Sequence, residues 1–232
     1  MSNKWSKFIK SFIDNKGYLD VLDGLFNTFK IAVLGFIIGL IIGLIVSSVK
    51  LAGEKNKVAK GFSRVGDVYV AFFRGTPIVV QLLLIYYVLF PLMGISVDRI
   101  VVAVMTFGLN SGAYVSEIMR GGILSVDKGQ MEAGRSLGLS YSGTMIRVVI
   151  PQAFKNMFPT LGNELIALIK DTSVVGFIAV VDLTQAFQFI GSSNYEYIVP
   201  YLILALTYIL IVLVITIIIK ILERRLRASD KR

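Results

Sequence analysis

Three long stretches of this chain contain no Asp, Glu, Lys or Arg: Ile31 to Val49, Gly75 to Val97, and Tyr197 to Ile219. A helix rises about 1.5 Å per residue, so roughly 20 apolar residues cross a hydrocarbon core about 30 Å thick. Three runs near or above that length predict transmembrane helices rather than buried helices of a soluble core. Two further segments, after Arg99 and after Phe158, are mostly apolar but carry charges or turn residues. The predicted spans are therefore 24–49, 67–92, 99–119, 158–181 and 198–222. They make an all-α integral membrane chain of about five transmembrane helices. Residues 1–22 form a polar, amphipathic segment (Trp5, Phe8, Ile9, Phe12, Ile13) suited to a membrane surface. Residues 23–223 form the membrane domain, and 224–232 a basic tail.

Punctuation inside the spans refines this picture. Gly35, Gly39 and Gly43 lay a small-xxx-small stripe along the first span and predict a close helix neighbour. Arg74-Gly75-Thr76-Pro77 interrupts the second span and predicts a bend or loosened turn, because proline lacks the N–H that would continue the helix. The first apolar run follows Asp14, Asp20 and Asp23 and lacks a small-residue cleavage pattern, so it is expected to be retained rather than cleaved as a leader.

Composition narrows the chemistry. The chain is 55% hydrophobic and 17% charged, against about a quarter charged in soluble domains. It has no Cys and no His. Thiol or histidine catalysis and the usual zinc sites are thereby excluded, and no metal site is expected. The net charge of +9 fits basic loops of a membrane protein better than nucleic-acid binding. With five spans, one side collects Lys50, Lys55, Lys57, Lys60, Arg64, Arg120, Lys128, Arg135, Arg147, Lys155 and the tail from Lys220 to Arg232. The positive-inside rule places that side in the cytoplasm and the N-terminus outside. Lys4, Lys7, Lys10 and Lys16 oppose this weakly, and a six-span arrangement in which the start of the chain re-enters stays open. Five spans make a poor pore alone, so a second copy of the chain or a related sister subunit is expected, as a homodimer or a related heterodimer.

The polar stretch from Ser125 to Lys155 is unusually rich in helix signals. Asp127 is placed to cap a short helix, Lys128 to Leu137, and Gly138 suits its left-handed end. Ser140 can cap the next segment, which Pro151 is expected to interrupt. The result is a short cytoplasmic helical hairpin.

These residues resemble a known family. Glu132-Ala133-Gly134, Gly138, Val148, Ile150 and Pro151 follow the spacing of the EAA motif of type I ATP-binding-cassette importer permeases, with Gly134 replacing the usual second alanine. Phe73-Arg74-Gly75-Thr76-Pro77 with Gln81, the segment from Tyr114 to Arg120, Ile150-Pro151-Gln152-Ala153 and Lys170-Asp171-Thr172-Ser173 resemble the polar amino-acid branch. The likeness runs from about Gly24 to Arg224. It implies a type I importer permease fold whose hairpin is a coupling helix: Gln130, Glu132, Ala133, Gly134, Arg135 and Gly138 would seat on a separate ATPase subunit, present in two copies. The chain lacks a Gly-x-x-x-x-Gly-Lys-Ser/Thr loop. It is therefore expected not to be an enzyme and to hold no cofactor, ATP and magnesium belonging to the partner. The resemblance also implies an extracytoplasmic amino-acid-binding protein as a partner and the plasma or inner membrane as the location.

Charges within the fourth span suggest where substrate goes, since an ionisable residue at mid-membrane costs about 2.5–3.5 kcal/mol even on lenient scales. Glu164, Ala167, Leu168 and Asp171 share a helix face, which should line a polar cavity. An amino acid presents one carboxylate and one ammonium. Arg74 and the Thr76 hydroxyl are candidates for the carboxylate; Glu164 with Asn163 is the candidate for the ammonium or a cationic side chain. Two carboxylates on that face, Glu164 and Asp171, favour arginine, lysine or histidine, with glutamine as the rival. Arg74 has a structural alternative, pinning its span, and Lys170 and Asp171 can offset each other. A stand-alone secondary transporter or channel would also explain buried charges, but not the hairpin.

Overall fold

The computed structural model describes residues 2–53 and 57–228; of the basic residues counted above, Lys55, Lys231, Arg232 and the side chain of Lys57 lie outside the described part. Its elements are helical throughout. Helix α1 (Ser2–Ile9) passes through a π-helical turn, Lys10–Asp14, into the long α2 (Gly17–Gly53). Helix α3 (Lys57–Gly75) breaks before α4 (Ile78–Leu84), which runs through a π-helical turn into α5 (Phe90–Leu92). Then come α6 (Arg99–Leu124), the short α7 (Lys128–Ser136) and α8 (Tyr141–Thr144), and α9 (Ile150–Asp171). A 3₁₀ turn, Thr172–Ile178, leads to α10 (Leu183–Asn194) and α11 (Ile198–Ala228).

Three helices among the described residues, α2, α6 and α11, are long and apolar enough to cross a membrane. The pair 59–75 and 78–92 has the same composition but bends by 107° at the break. Helix α9 carries Lys155, Glu164, Lys170 and Asp171 and does not pass as an apolar span. The five expected spans thus appear as three apolar helices, one sharply bent pair and one polar helix.

Boundaries shift where local chemistry overrides the apolar pattern. Helix α2 starts at Gly17 rather than Gly24, because Asp20 and Asp23 lie in its opening turns, where the helix dipole favours acids. Helix α9 starts at Ile150 and stops at Asp171, well short of Val181. Pro151 does not interrupt it: a π-helical turn, Met145–Val149, runs straight from α8 into α9, and such a widened turn is one way a helix accommodates a residue that lacks its N–H. Beyond Asp171 the chain tightens to 3₁₀, and Ala179 closes that turn with a left-handed φ of +55°.

The predicted close neighbour of the glycine stripe is α6. A Cβ on Gly39 would stand 2.7 Å from Ser111 Cβ, and one on Gly43 2.5 Å from Val115 Cγ1. The packing is reciprocal: Gly108 and Gly112 of α6 receive Ile38 and Ile42 of α2. Without a hydrophobic force between helices in lipid, such close backbone approach is what holds them. Around this seam Ile31, Leu82, Phe107, Leu168, Ile169 and Ile178 form the main core. A second cluster, Val115, Val126, Val149, Ala153, Met157 and Leu161, fastens the base of the hairpin to α6 and α9. The N-terminal segment packs Phe8 against Leu183, Phe187 and Val199 and leaves Trp5, Ile9 and Ile13 exposed.

Candidate functional site

Helix α6 is the post on which the site hangs. The end of α3 places the Arg74 guanidinium over the Tyr114 ring, 5.3 Å from its centroid. One turn back along α6, the buried Ser111 neighbours the Glu164 carboxyl of α9, which also feels Asp171 on its own helix. Residues three apart on a helix have Cβ atoms about 5–6 Å apart. A fixed cation and a carboxylate therefore flank one turn of α6. Arg74 and Asn163 are exposed, whereas Glu164, Asp171 and Thr76 are partly buried.

Thr76 is the predicted site residue whose environment differs most from expectation. Its hydroxyl donates to Phe72 O (2.8 Å) and accepts from Gln81 Nε2 (2.9 Å). It belongs to a clasp that the sequence pattern does not reveal. In an unbroken helix Phe73 C=O would receive the N–H of residue 77, but Pro77 has none. Gln81 Nε2 donates to Phe73 O (2.8 Å) and Thr76 O (2.9 Å) instead. Asn110 Nδ2 of α6 donates to Gln81 Oε1 (2.9 Å) and to Phe73 O (3.3 Å). Gln81 and Asn110 are themselves buried, so the Phe73 and Thr76 carbonyls at the break are answered by protein, as membrane depth demands. The clasp fixes the bend and with it the direction in which α3 presents Arg74.

A polar stripe runs the length of α9. Asn156, Thr160, Asn163 and Lys170 are exposed, and Glu164 and Asp171 flank them. At 100° per residue they fall on one face. Such a face is costly against lipid tails and belongs against water or another protein.

The hairpin has the predicted caps. Asp127 accepts from Gly129 N (2.7 Å) and Ser140 Oγ from Gly143 N (3.1 Å). Helix α7 ends at Ser136 in a Schellman turn, with Gly138 at φ +85°, Gly138 N bonded to Arg135 O and Leu139 N to Gly134 O. Glu132, Ala133 and Arg135 face outward, while Gly134 is buried against the Thr144 side chain. Gln130 Oε1 accepts from Gln152 Nε2 (3.1 Å), which ties the hairpin to α9. Leu137 is 85% exposed at the tip.

Two charged groups also emerge only from the structure. Lys50 bridges Glu117 (2.6 Å) and Asp67 (2.9 Å), and Arg120 also binds Glu117 (3.0 Å); this ties α2, α3 and α6 together at the basic end of the bundle. Asp182, fully buried, caps α10 by accepting from Thr184 N (3.0 Å) and Gln185 N (2.9 Å). The Asp-x-x-Gln spacing is a recognisable helix start, but the apolar run expected through Val181 masks it.

The chain has clear relatives among known proteins. Residues 35–228 match the model of the family described as binding-protein-dependent transport system inner membrane component. The chain is 41% identical to the arginine transport system permease protein ArtQ of Bacillus subtilis (strain 168), over 90% of this chain and 94% of that protein. It is 42% identical to the glutamine transport system permease protein GlnP of Escherichia coli (strain K12), over 71% and 76%. A solved amino acid ABC transporter with histidines superposes with a TM-score of 0.82 at 38% identity, covering 90% of this chain and 95% of that one.

Proposed function

Because the chain belongs to the family of binding-protein-dependent transport system inner membrane components and is the permease subunit of an ATP-binding-cassette amino-acid importer, we propose that it carries a cationic amino acid, arginine, lysine or histidine, into the cytoplasm. It is not an enzyme; ATP hydrolysis belongs to a separate subunit. The observation that carries the substrate reading is the pairing of opposite charges on one turn of α6, Arg74 over Tyr114 and Glu164 beside Ser111. Arg74 takes the substrate carboxylate. Glu164, with the Asn163 amide, takes the ammonium or the cationic side chain. Asp171, seven residues and about 10 Å further along the same face, adds a second negative charge. Thr76 acts on the site through the clasp.

The hairpin α7–α8 is the transmission element in this reading. Glu132, Ala133, Arg135 and Leu137 present a mixed charged and apolar tip to the ATPase subunit, and Gln130, Gly134 and Gly138 hold its shape. Because its base packs on α6 and α9, motion at the tip reaches the two helices that carry Ser111, Tyr114 and Glu164. Two ATPase copies, a second permease copy and an extracytoplasmic binding protein complete the assembly. The basic end and the C-terminus lie in the cytoplasm, and the N-terminus outside.

Glutamine is the second reading, favoured by the exposed Asn163 amide beside Glu164. Transport by the permease–ATPase complex in proteoliposomes separates the two. Glu164→Gln should cut uptake of a cationic substrate at least about tenfold, the loss of one desolvated charge contact, while sparing a neutral one. Equal loss for both substrates in a normally assembled complex overturns the cationic assignment.

A further inference from the structure

On the side of α9 away from its polar stripe lies an apolar groove of about 430 Å³. Helices α2, α9 and α11 form its walls, with Val33, Leu40, Phe158, Leu165, Ile215 and Leu222 among the lining residues. At 100° per residue, Phe158, Leu165 and Ile169 stand nearly opposite Asn156, Thr160 and Ala167. The polar stripe must face water or another protein, so the groove on the opposite face turns toward lipid. Its lower wall is set by Gly162, where a Cβ would lie 2.7 Å from Ile219 Cδ1; this lets α9 and α11 meet closely below while α2 and α11 stay parted above. Along α2 the lining extends from Phe29 to Leu40, about 16 Å of helix. One leaflet of hydrocarbon is roughly 15 Å deep.

The ends of the groove differ in charge. Toward Phe154 and Leu222 it reaches the basic end of the bundle. Lys155 lies one turn before Phe158 on the groove side of α9, and Arg225 lies one turn beyond Leu222 on the groove side of α11. At the opposite end, around Phe29, Ile169 and Ile215, the exposed neighbours Lys30 and Lys170 turn away from the groove: Lys170 lies on the polar stripe and Lys30 about 90° around α2 from the lining residues. We propose that the groove holds one acyl chain of an anionic phospholipid of the cytoplasmic leaflet, with Lys155 and Arg225 receiving its phosphate headgroup. Arginine and lysine at a membrane surface attract anionic lipid in this way, and the long side chains reach the headgroup level from just inside.

The inference is independent of which amino acid is carried. The permease–ATPase complex, reconstituted in nanodiscs of equal phosphatidylcholine and phosphatidylglycerol and then extracted, is measured by native mass spectrometry for lipid retained per permease. The expected result is retention of phosphatidylglycerol over phosphatidylcholine by roughly thirtyfold, the scale two basic side chains confer near a membrane surface. Lys155→Gln with Arg225→Gln, both at the groove mouth and outside the packed core, should abolish the preference while lipid is still retained. Val33→Trp, which fills the groove from its exposed wall, should abolish retention of either lipid. Equal retention of the two lipids by the unaltered complex overturns the proposal, as does a preference that survives the double substitution. Val33→Trp separating the permease copies, with lipid retention unchanged, would mark the groove as a protein–protein seam and also overturn it.

Discussion

At the scale of single residues, Asp182 shows how a buried charge can be structural in a protein whose other buried charges point to transport. It is fully enclosed, yet both amides at the start of α10 point at it. Around it Asn27 Nδ2 donates to Val181 O (2.9 Å), and Leu183 N donates to Thr28 Oγ1 (3.1 Å), so the turn is pinned to α2. Removing the carboxylate leaves the part-buried N–H groups of Thr184 and Gln185 without acceptors. Asp182→Ala is expected to cost about 1–3 kcal/mol, the penalty of a lost cap plus an unsatisfied donor. Asp182→Asn, which keeps an acceptor oxygen, should cost less than half of that. Thermal unfolding of the detergent-solubilised complex measures both. Glu164 differs from Asp182 in kind: no helix start surrounds it, and its helix face continues as polar residues toward both ends of the bundle. A drop in thermal stability separates the first role, and a change in substrate preference the second.

At the scale of elements, the bend between α3 and α4 is the clearest case of local sequence needing a distant partner. Gly75 and Pro77 announce a break, because their effect on the backbone is local. The 107° angle is set by Gln81 and Asn110, 29 residues apart in the chain, and no periodicity links them. Gln81→Leu keeps the size and apolar burial but removes both donors. It is expected to destabilise the complex by about 1–3 kcal/mol and to raise the KM for substrate, because α3 no longer aims Arg74. Pro77→Ala in the Gln81→Leu background gives Phe73 C=O a main-chain donor again and should recover part of the stability without recovering the KM. Uptake kinetics beside thermal unfolding check the pair; recovery of both together would mean the clasp serves folding alone. Legibility follows the same division elsewhere. The α2–α6 seam is written in glycine spacing, and the hairpin in its capping residues, both within a few turns. The end of α9 at Asp171 was obscured because Val174, Val175, Phe177 and Ile178 continue the apolar run through a 3₁₀ turn that packs into the core. Burial, rather than helix continuation, explains those residues. The charge bridge from Lys50 to Asp67 and Glu117 joins three helices, so its pairs carry no sequence spacing at all.

At the scale of the whole molecule, the proposed function requires that movement at the tip of the hairpin reach the charges beside α6 without being absorbed on the way. The hairpin meets this by packing its two short helices tightly and rooting them in α6 and α9. Gly134 is the tightest point: a Cβ placed there would press into the Thr144 side chain. The alanine usual at this place in the motif therefore cannot enter this chain without moving Thr144. Gly134→Ala alone is expected to splay α7 from α8, at an overpacking cost of about 1–3 kcal/mol. Because Glu132, Arg135 and Leu137 then shift relative to α9, substrate moved per ATP hydrolysed should fall, while binding of the ATPase subunit weakens less. Thr144→Ser, which removes the methyl group nearest that Cβ and keeps the hydroxyl that donates to Ser140 O (3.1 Å), should be mild on its own. The double substitution should restore both stability and coupling, giving an interaction energy of about 0.5–3 kcal/mol between the two sites. Transport and ATP hydrolysis measured in the same vesicles decide the matter. If Gly134→Ala lowers both rates in equal proportion and Thr144→Ser does not rescue it, the hairpin only supports assembly, and the motion must reach α6 by another route.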